Sequence, residues 1–417
     1  MLRTLKNKIK QRLVSGNQEI FANERADDQQ LRDMISLILN EIIEHERLSL
    51  SDTDKKTVIN EVVNDLFGFG PIEDILKDPL VTEIMVNGPK KIYVERLGKK
   101  ELSSITFEDD KQLMYLIHRL LGPTRRHVDE SYPYAETVLR DGSRMNIIIP
   151  PLALNGPTIT IRKFLKEISS IDDLLKLEVM DRRMADFLIA CIKAKVNIIF
   201  GGPTGAGKTT NLNVFSSYIN DDERIITIED TAELRLTQDN VVSLEAKQAN
   251  IEGKGAITIR DIFRNSLRMR PDRIIIGEIR GVEALDMLQA ICSGHRGSLS
   301  IIHSNSPQDV IYRIDTMILT SGIPISLEAI HRQIAAAINL IVHQEQMPDG
   351  SRKITHMTQV SGLKEGNVQL EDIFLYDINN ERNTEKPGWY ATGVIPVFYN
   401  LFKKAGIDLP KELFNKD

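Results

Sequence analysis

The sequence predicts an α/β fold in which a parallel sheet with crossover helices follows a smaller α+β domain. From about residue 183 onward, short apolar runs alternate with loops and helical segments, a pattern typical of parallel sheets. Residues 72–162 instead carry short β-like runs separated by turn residues. The length of 417 residues corresponds to about three domains. Apolar residues make up 41% and charged residues 27%, which excludes a disordered or fibrous chain.

The amino-terminal extension, residues 1–70, predicts helices. Four apolar side chains recur at helical spacing between basic residues, and they are Leu2, Leu5, Ile9 and Leu13. Such a segment forms either a helix on an anionic membrane surface or a solvated tail, and the sequence leaves both interpretations open. Residues 28–66 predict two further helices, the second of which begins at a cap formed by Asp52 or Thr53. The Gly-Phe-Gly-Pro sequence at 68–71 ends this region.

A small α+β domain is predicted over residues 71–162. Its runs TEIMVNG and SRMNIIIPP predict strands, and KQLMYLIHRLLG predicts a helix between them. The polar segment 163–175 is expected to act as a hinge linker before the last domain, residues 176–417. In the tail of that domain, VIPVFYNLFKKAG predicts a short packed helix.

Charge and cysteine content restrict the partners and the compartment. The 53 basic and 59 acidic residues give a net charge of −6, so we expect no nucleic-acid partner. The two cysteines, Cys191 and Cys292, have no metal-binding spacing, and Cys191 is expected to be buried in its apolar run. The sequence contains no apolar run of about 18 residues and no secretion signal, so we expect a cytoplasmic chain.

The strongest chemical signal is a glycine-rich loop after an apolar strand. The run VNIIFGGPTGAGKTT matches the phosphate-loop pattern, with a strand predicted before it and a helix after it. Glycines allow the torsions that turn the N–H groups of such a loop toward an anion. The candidate nucleotide-binding residues are Gly202, Pro203, Thr204, Gly205, Ala206, Gly207, Lys208, Thr209 and Thr210. Lys208 is expected to reach the β and γ phosphates of ATP, and Thr209 is expected to bind Mg²⁺.

Two acidic segments follow predicted strands and are candidates for phosphate-transfer chemistry. In RIITIEDTAEL, Glu229 and Asp230 either activate water or form an acidic turn without catalytic function. In RPDRIIIGEIRG, Glu278 is either a Mg²⁺ ligand, directly or through water, or an ordinary carboxylate after a core strand. Arg280 lies on the same side of an extended chain as Glu278 and is a further candidate nucleotide contact.

Histidines and arginines form a weaker group of candidates. His295 and His303 flank a predicted strand and either sense the γ phosphate or are ordinary buried histidines. Their spacing does not match a compact metal site. Arg140, Arg144 and Arg162 belong to the predicted α+β domain. Arginine can grip phosphate through two hydrogen bonds, so these side chains are either arginine fingers or partners in surface salt bridges.

The combination of motifs resembles the ATPases of the type II and type IV secretion superfamily. GPTGAGKTT is followed in order by ITIEDTAEL, RPDRIIIGEIRG and GHRGSLSIIHSN, which are similar to the family's Asp box, Walker B motif with Glu, and His box. The segments LVTEIMVNGPKKIYVERLGK and DGSRMNIIIPPLA most resemble the CpaF-type ATPases of tight-adherence (Flp) pili. The resemblance covers about residues 65–365. The two cysteines do not suffice for the four-cysteine zinc module of many type II members.

The resemblance implies a RecA-like ATPase domain behind a PAS-like amino-terminal domain, assembled as a homo-hexamer. It also assigns roles by position. These are Lys208 and Thr209 for phosphate and Mg²⁺, Glu229 for the attacking water, Glu278 for Mg²⁺ or that water, His303 and His295 for coupling to domain movement, and Arg144, Arg162 and Arg140 for closure onto the nucleotide.

The implied function is that of a motor. ATP hydrolysis would drive pilus assembly or protein secretion through a polytopic inner-membrane platform protein, with the cytoplasmic chain held peripherally at that membrane by its partners. One alternative is a DNA-translocating or conjugation ATPase, which the mild negative charge and the lack of an aromatic–basic strip argue against. The other is a nucleotide-gated scaffold with little turnover, which the presence of both Glu229 and Glu278 opposes.

Overall fold

The chain divides into two units, Met1–Leu165 and Lys166–Asp417, which we call the amino-terminal and carboxyl-terminal units. The computed structural model describes residues 2–16, 28–96, 98–124, 126–139, 141–163, 168–247, 254–378 and 387–416. Each unit contains its own buried apolar core. Within these described ranges, no helix has both the length and the apolar character needed to cross a membrane.

Three helices begin the amino-terminal unit: α1 (Leu2–Gly16), α2 (Asp28–Glu46) and α3 (Asp52–Phe67). They share one apolar cluster, in which the stripe of α1 is buried through Leu5, Ile9 and Leu13. Both interpretations of this segment, a membrane-bound helix and a solvated tail, are therefore wrong. The apolar face of α1 is covered by helices of its own unit.

The start of α3 differs from the predicted one by a single residue. Ser51 is the amino-terminal cap, and its hydroxyl oxygen accepts a hydrogen bond from the Asp54 N–H at 3.1 Å. Asp52 and Thr53 already lie inside the helix. The prediction that one of these two residues forms the cap is therefore wrong, because serine supplies the same kind of acceptor one position earlier.

A six-stranded antiparallel sheet completes the amino-terminal unit. Its strands are β1 (Val81–Asn87), β2 (Ile92–Arg96), β3 (Lys99–Leu102), β4 (Tyr134–Val138), β5 (Arg144–Ile148) and β6 (Thr158–Arg162), in the order β3-β2-β1-β6-β5-β4. The short helix α4 (Glu73–Lys77) precedes the sheet, and α5 (Asp110–Leu121) contributes to its apolar core. The strands predicted from TEIMVNG and SRMNIIIPP are confirmed. All four residues of β3 are exposed, so no alternation of apolar and polar residues in the sequence predicts that strand.

A nine-stranded sheet forms the centre of the carboxyl-terminal unit. Its strands are β7 (Ile198–Gly202), β8 (Ile225–Glu229), β9 (Val241–Glu245), β10 (Arg273–Ile276), β11 (Leu299–His303), β12 (Leu340–Gln346), β13 (Arg352–Lys364), β14 (Asn367–Tyr376) and β15 (Trp389–Ala391). Their order is β15-β14-β13-β12-β7-β11-β10-β8-β9. Neighbouring strands pair in parallel, as predicted, along the part β12-β7-β11-β10-β8-β9. The remaining strands, β13 to β15, pair antiparallel and were not predicted.

Helices and two apolar cores cover this sheet. The helices are α6 (Ile171–Lys176), α7 (Arg182–Lys193), α8 (Lys208–Ser216), α9 (Ile259–Ser266), α10 (Glu283–Cys292), α11 (Pro307–Leu319), α12 (Leu327–Ala337) and α13 (Asn400–Lys404). Cys191 on α7 is buried, as predicted. The predicted tail helix is confirmed by α13, which buries Phe402.

Part of the predicted hinge is a packed helix. Ser170 and Asp173 form a capping box at the start of α6, and Ile171 and Leu174 are buried in the core of the carboxyl-terminal unit. A linker interpretation of residues 171–175 is therefore wrong. The Ser-x-x-Asp pattern that produces this cap is visible in the sequence, but the high charge of the segment conceals it. Residues 164–167 of the predicted hinge lie outside the described ranges.

A buried ion pair joins elements of the carboxyl-terminal unit. Arg273 is 1% exposed, and its guanidinium donates to both carboxylate oxygens of Glu223, at 2.8 and 3.1 Å. It also donates to the carbonyl oxygen of Ile192 at 2.6 Å. Burial would raise the pKa of Glu223, but hydrogen bonds from Arg273 and Lys195 outweigh it and hold that pKa below its usual value.

We expect Arg273→Met to lower the free energy of unfolding by about 3–5 kcal/mol, because it leaves a buried carboxylate without its main partner. The chain contains one tryptophan, Trp389 on β15, so its fluorescence during urea unfolding reports on the carboxyl-terminal unit. Arg264→Met is the matched control. The Arg264 side chain is 58% exposed and pairs with Asp286, so its loss should cost less than about 1 kcal/mol. Equal unfolding midpoints for the two variants would contradict the proposed importance of the buried pair.

Candidate active site

The carboxyl ends of four parallel strands meet at one edge of the sheet. β7 ends at Gly202, β8 at Glu229 and β11 at His303, and Glu278 follows two residues after β10. This is the edge at which open α/β sheets bind ligands. The sheet therefore gathers four predicted site residues from segments that are far apart in the sequence.

The loop between β7 and α8, residues 202–209, has the geometry of a phosphate-binding cradle. Gly202, Gly205 and Gly207 have φ angles of +147°, +80° and +94°, which side chains disfavour. A Cβ atom on Gly202 would lie 2.2 Å from the carbonyl oxygen of Gln344, so this position has no room for a side chain. α8 begins at Lys208, and the amino-terminal end of a helix attracts anions.

Two residues on the neighbouring strands β12 and β13 support this loop. Gln344 on β12 accepts a hydrogen bond from the Asn211 amide of α8 at 2.7 Å. Arg352 on β13 donates from Nε to the Gly205 carbonyl oxygen at 2.8 Å. Sequence reasoning missed both residues. They lie more than a hundred residues after the loop, and no motif marks them.

Lys208 and His303 contact each other inside the cradle. Lys208 is 6% exposed, and its Nζ donates to the Pro203 carbonyl oxygen at 2.8 Å. The same Nζ lies 3.4 Å from Nδ1 of His303, and the Thr204 hydroxyl lies 3.3 Å from that nitrogen. Lysine can only donate, so Nδ1 of His303 is the acceptor in this contact.

Glu278 lies on the other side of the His303 ring. Its Oε1 is 3.2 Å from Nε2 of His303, and Arg280 binds both carboxylate oxygens at 2.7 Å. Burial would raise the pKa of Glu278, but the hydrogen bonds from His303 and Arg280 lower it to about 2. Glu278 is therefore ionised at neutral pH. The predicted proximity of Arg280 to Glu278 is confirmed.

Glu229 and Asp230 lie beside this group. Glu229 is 3% exposed, and its Oε1 accepts hydrogen bonds from the N–H groups of Glu233 and Leu234 at 2.9 and 3.0 Å. A Cβ atom on Gly277 would lie 2.8 Å from Cγ of Glu229, so the strand that leads to Glu278 passes close to this carboxylate. Oδ2 of Asp230 lies 3.7 Å from the Arg280 guanidinium.

The structure thus brings together most of the predicted site. The phosphate loop itself includes buried Ala206, and Thr209 and Thr210 lie half-buried in the first turn of α8. A continuous series of contacts runs from Lys208 through His303 and Glu278 to Arg280 and Asp230.

His295 is not part of this group. It precedes β11 by four residues, whereas the site is formed where the parallel strands end, and its Nδ1 lies 3.1 Å from the carbonyl oxygen of Ala290. Because strand β11 separates its two flanking histidines, only His303 reaches the phosphate loop. A nucleotide contact by His295 therefore stays a prediction.

The predicted arginine fingers belong to the amino-terminal unit. Arg144 on β5 and Arg162 on β6 are register partners on adjacent strands. Neither is buried, and the alternate residues Met145 and Ile161 face the core. Nε of Arg162 lies 4.0 Å from the carboxylate of Glu83 on β1. Arg140 lies outside the described residues.

A known protein family matches most of the chain, across both units. Residues 65–368 match the family described as "Type II/IV secretion system protein". The chain belongs to the type II/IV secretion system protein family. Protein VirB11 of Agrobacterium fabrum is 32% identical over 302 residues, covering 65% of this chain and 87% of VirB11. The conjugal transfer protein TrbB of Rhizobium radiobacter is 29% identical over 300 residues, covering 71% of this chain and 88% of TrbB.

A solved structure of a similar fold is that of the pilus retraction motor PilT with bound ADP. It has a TM-score of 0.51 and 20% sequence identity, and the similarity covers 80% of this chain and 86% of PilT. This likeness concerns the fold, and it confirms the predicted α/β class. Membership in the secretion family confirms the wider resemblance, while the CpaF-type branch stays a prediction.

Replacing Gly202 by alanine should weaken nucleotide binding about tenfold or more. The new Cβ would collide with the Gln344 main chain at a φ angle that costs a side chain roughly 1–3 kcal/mol. Fluorescent ATP-analogue titration measures the change. Gly388→Ala is the control, because a Cβ at Gly388 meets no atom within 4 Å. If Gly202→Ala binds the analogue as tightly as Gly388→Ala does, the close approach is not needed for nucleotide binding.

Proposed function

We propose that this chain is a motor ATPase of a type II/IV secretion machine, which hydrolyses ATP with Mg²⁺ and converts hydrolysis into domain movement. One observation supports this most directly. Lys208, His303 and Glu278 contact one another in series beside a phosphate-binding loop. Phosphoryl transfer requires a cation for the phosphates and a carboxylate for metal or water, held within one pocket.

The residues present fit a nucleotide and its metal. The three glycine conformations give the loop the shape of a cradle, in which backbone N–H groups bind phosphate oxygens, and Lys208 can exchange the Pro203 carbonyl for a phosphate. Thr209 and Glu278 offer the hydroxyl and carboxylate oxygens that Mg²⁺ prefers. Bound Mg²⁺ would neutralise charge that develops on the phosphates.

Glu229 and Arg280 complete the proposed chemistry. We assign to Glu229 the orientation of the attacking water, with the two main-chain N–H groups at Oε1 holding its carboxylate in place. Arg280 pairs with both Glu278 and Asp230. Its partly exposed guanidinium can turn toward a phosphate when the nucleotide arrives.

We further propose that the working particle is a homo-hexamer in which Arg144 and Arg162 supply positive charge to a nucleotide. Their placement as register partners on one sheet supports a shared anionic ligand. In the cell, the particle would act peripherally at the inner membrane on a polytopic platform protein. The resemblance of the amino-terminal segments to CpaF-type ATPases favours assembly of tight-adherence pili.

A second candidate function is transfer by a type IV secretion or conjugation system. The name of the relative TrbB favours it, since TrbB is described as a conjugal transfer protein. The two candidates differ in their relation to DNA. Tight DNA binding at low salt that weakens steeply as salt rises would favour the conjugation role. ATP turnover that is indifferent to DNA favours the pilus role.

Three substitutions test the hydrolysis mechanism. Lys208→Ala should weaken ATP binding at least about tenfold, because a charge-assisted hydrogen bond contributes about 1.5–3 kcal/mol. Glu278→Gln and Glu229→Gln should keep ATP binding but lower turnover by roughly 100-fold or more. Phosphate release measures turnover, and titration with a fluorescent analogue measures binding.

Glu328→Gln is the matched control for the two carboxylates. The Glu328 side chain is 61% exposed on α12 and pairs with Arg332, away from the strand ends that form the site. This variant should hydrolyse ATP like the unmodified protein. Full turnover in both Glu278→Gln and Glu229→Gln would refute the assigned chemistry.

Assembly should be visible in the kinetics. We expect turnover per chain to rise with protein concentration and to reach a plateau as hexamers form, because the proposed pocket needs groups from more than one subunit. Analytical ultracentrifugation measures the state of assembly under the same conditions. The Arg144→Gln and Arg162→Gln variants should assemble normally but hydrolyse ATP slowly. The Arg332→Gln variant, at an exposed position, should change neither assembly nor ATP turnover. A fully active monomer would rule out the shared pocket.

A further inference from the structure

Three side chains on β12 and β13 converge at a place that the proposed ATPase chemistry does not use. They are His343, Glu345 and His356, and their nitrogen and oxygen donor atoms all lie within 4.8 Å of one another. His343 and His356 are register partners on the two antiparallel strands. Within the described ranges, this is the one group of three or more histidine, cysteine or carboxylate side chains that converges so closely.

The separations within this cluster suit a small metal ion. Nδ1 of His343 lies 3.5 Å from Oε1 of Glu345. Donors that bind Zn²⁺ at about 2.0–2.2 Å in a tetrahedron lie about 3.3–3.6 Å from each other. The two imidazole rings meet edge to face, with their centroids 5.9 Å apart, so modest side-chain rotation suffices to aim both at one point.

The Thr355 hydroxyl occupies the centre of the cluster. It donates to Oε1 of Glu345 at 3.0 Å and lies 3.2 Å from Nδ1 of His343 and 3.0 Å from Nδ1 of His356. These contacts hold the three side chains in nearly the positions that a metal ion would require. A cation would replace hydrogen bonds that already converge, so little side-chain freedom is lost on binding.

The surroundings of the cluster are closed on one side and open on the other. His343 is 0% exposed, whereas the Glu345 side chain is 35% exposed and His356 is half-buried. A cation can therefore enter from the Glu345 side, and a water molecule can complete its coordination there. Two imidazoles and one carboxylate form a ligand set that suits Zn²⁺ better than Mg²⁺ or Ca²⁺, which prefer oxygen ligands.

We propose that His343, Glu345 and His356 bind one divalent transition-metal ion of the Zn²⁺ type per chain. The ion would join β12 to β13 behind the phosphate loop. Gln344, which lies between two of the ligands, holds Asn211 of α8, and Arg352 at the start of β13 holds Gly205. The metal would thus fix the strands that support the loop.

The test uses full-length, tag-free protein that has been treated with a chelator and contains no nucleotide. Zn²⁺ is titrated by calorimetry and in competition with a chromophoric chelator, and Co²⁺ is used for its absorption spectrum. We expect one Zn²⁺ per chain and a Co²⁺ spectrum typical of tetrahedral coordination. Zn²⁺ should also raise the urea midpoint reported by Trp389, because a ligand that binds the folded state stabilises it. Trp389 donates to the carbonyl oxygen of Ile354, next to Thr355, so it also reports locally.

Two variants at partly exposed positions locate the site. His356→Gln and Glu345→Gln should each weaken Zn²⁺ binding at least about 100-fold, since even loss of a supporting group around a metal costs about 10–100-fold. His118→Gln, at an exposed position on α5, is the control and should bind Zn²⁺ like the unmodified protein. Circular dichroism confirms that each variant is folded.

The outcomes decide the proposal without reference to ATP hydrolysis. Stoichiometric binding that both cluster variants lose and the control keeps supports it. If the unmodified protein binds no Zn²⁺ or Co²⁺ at stoichiometric concentrations, the cluster is a hydrogen-bond network centred on Thr355 and the proposal fails. It fails equally if His356→Gln and Glu345→Gln bind Zn²⁺ with unchanged affinity.

Discussion

The close approach of β7 and β12 at Gly202 is the constraint on which the site depends. The Gln344 carbonyl oxygen occupies the space that a side chain on Gly202 would need, so the two strands can pair only around a glycine. The same Gln344 reaches forward to Asn211 on the helix after the loop. The loop is therefore shaped by the register of the sheet before any nucleotide arrives, and little reorganisation is needed when phosphate binds.

His303 is placed to report on the occupant of this loop. Its Nδ1 can accept from Lys208 only while its Nε2–H donates to Glu278, so one tautomer satisfies both neighbours. A phosphate that draws Lys208 away removes one of these contacts and changes the balance of hydrogen bonds at Glu278. This gives a physical basis to the proposed coupling between nucleotide state and domain movement, because the change reaches Arg280 through a single carboxylate.

The sequence predicts the centre of the site better than its supports. The phosphate loop, Glu229, Glu278 and His303 could be placed together because strands of a parallel sheet end at one edge. Gln344 and Arg352 could not, because they reach the loop through strand pairing that no local pattern encodes. The helix α1 shows a second limit. A stripe of apolar residues predicts that one face of the helix is buried, but it does not show whether a membrane or neighbouring helices bury it.

The two histidines that flank β11 show a related limit, since the sequence does not show which of them lies beside the phosphate loop, and the structure places His303 there. The charged residues at 172 and 173 have the composition of a linker, although Asp173 caps a helix. In both cases, the sequence shows correctly that the residues are polar. Composition does not show the direction in which a strand runs or the partner of a hydrogen bond, and these decide where each residue lies in the structure.

The charge around the loop argues for positive groups from outside the pocket. Glu229, Asp230 and Glu278 lie at the same strand ends, and Arg280 is already engaged by two of them. A magnesium-bound triphosphate still carries net negative charge, so its approach to these carboxylates is opposed. Arg144 and Arg162 are positive side chains at register positions directly opposite each other on antiparallel strands, where like charges repel. An anion bound by both guanidinium groups would offset this repulsion. This is the electrostatic reason to propose that these two arginines contribute the positive charge that the nucleotide requires.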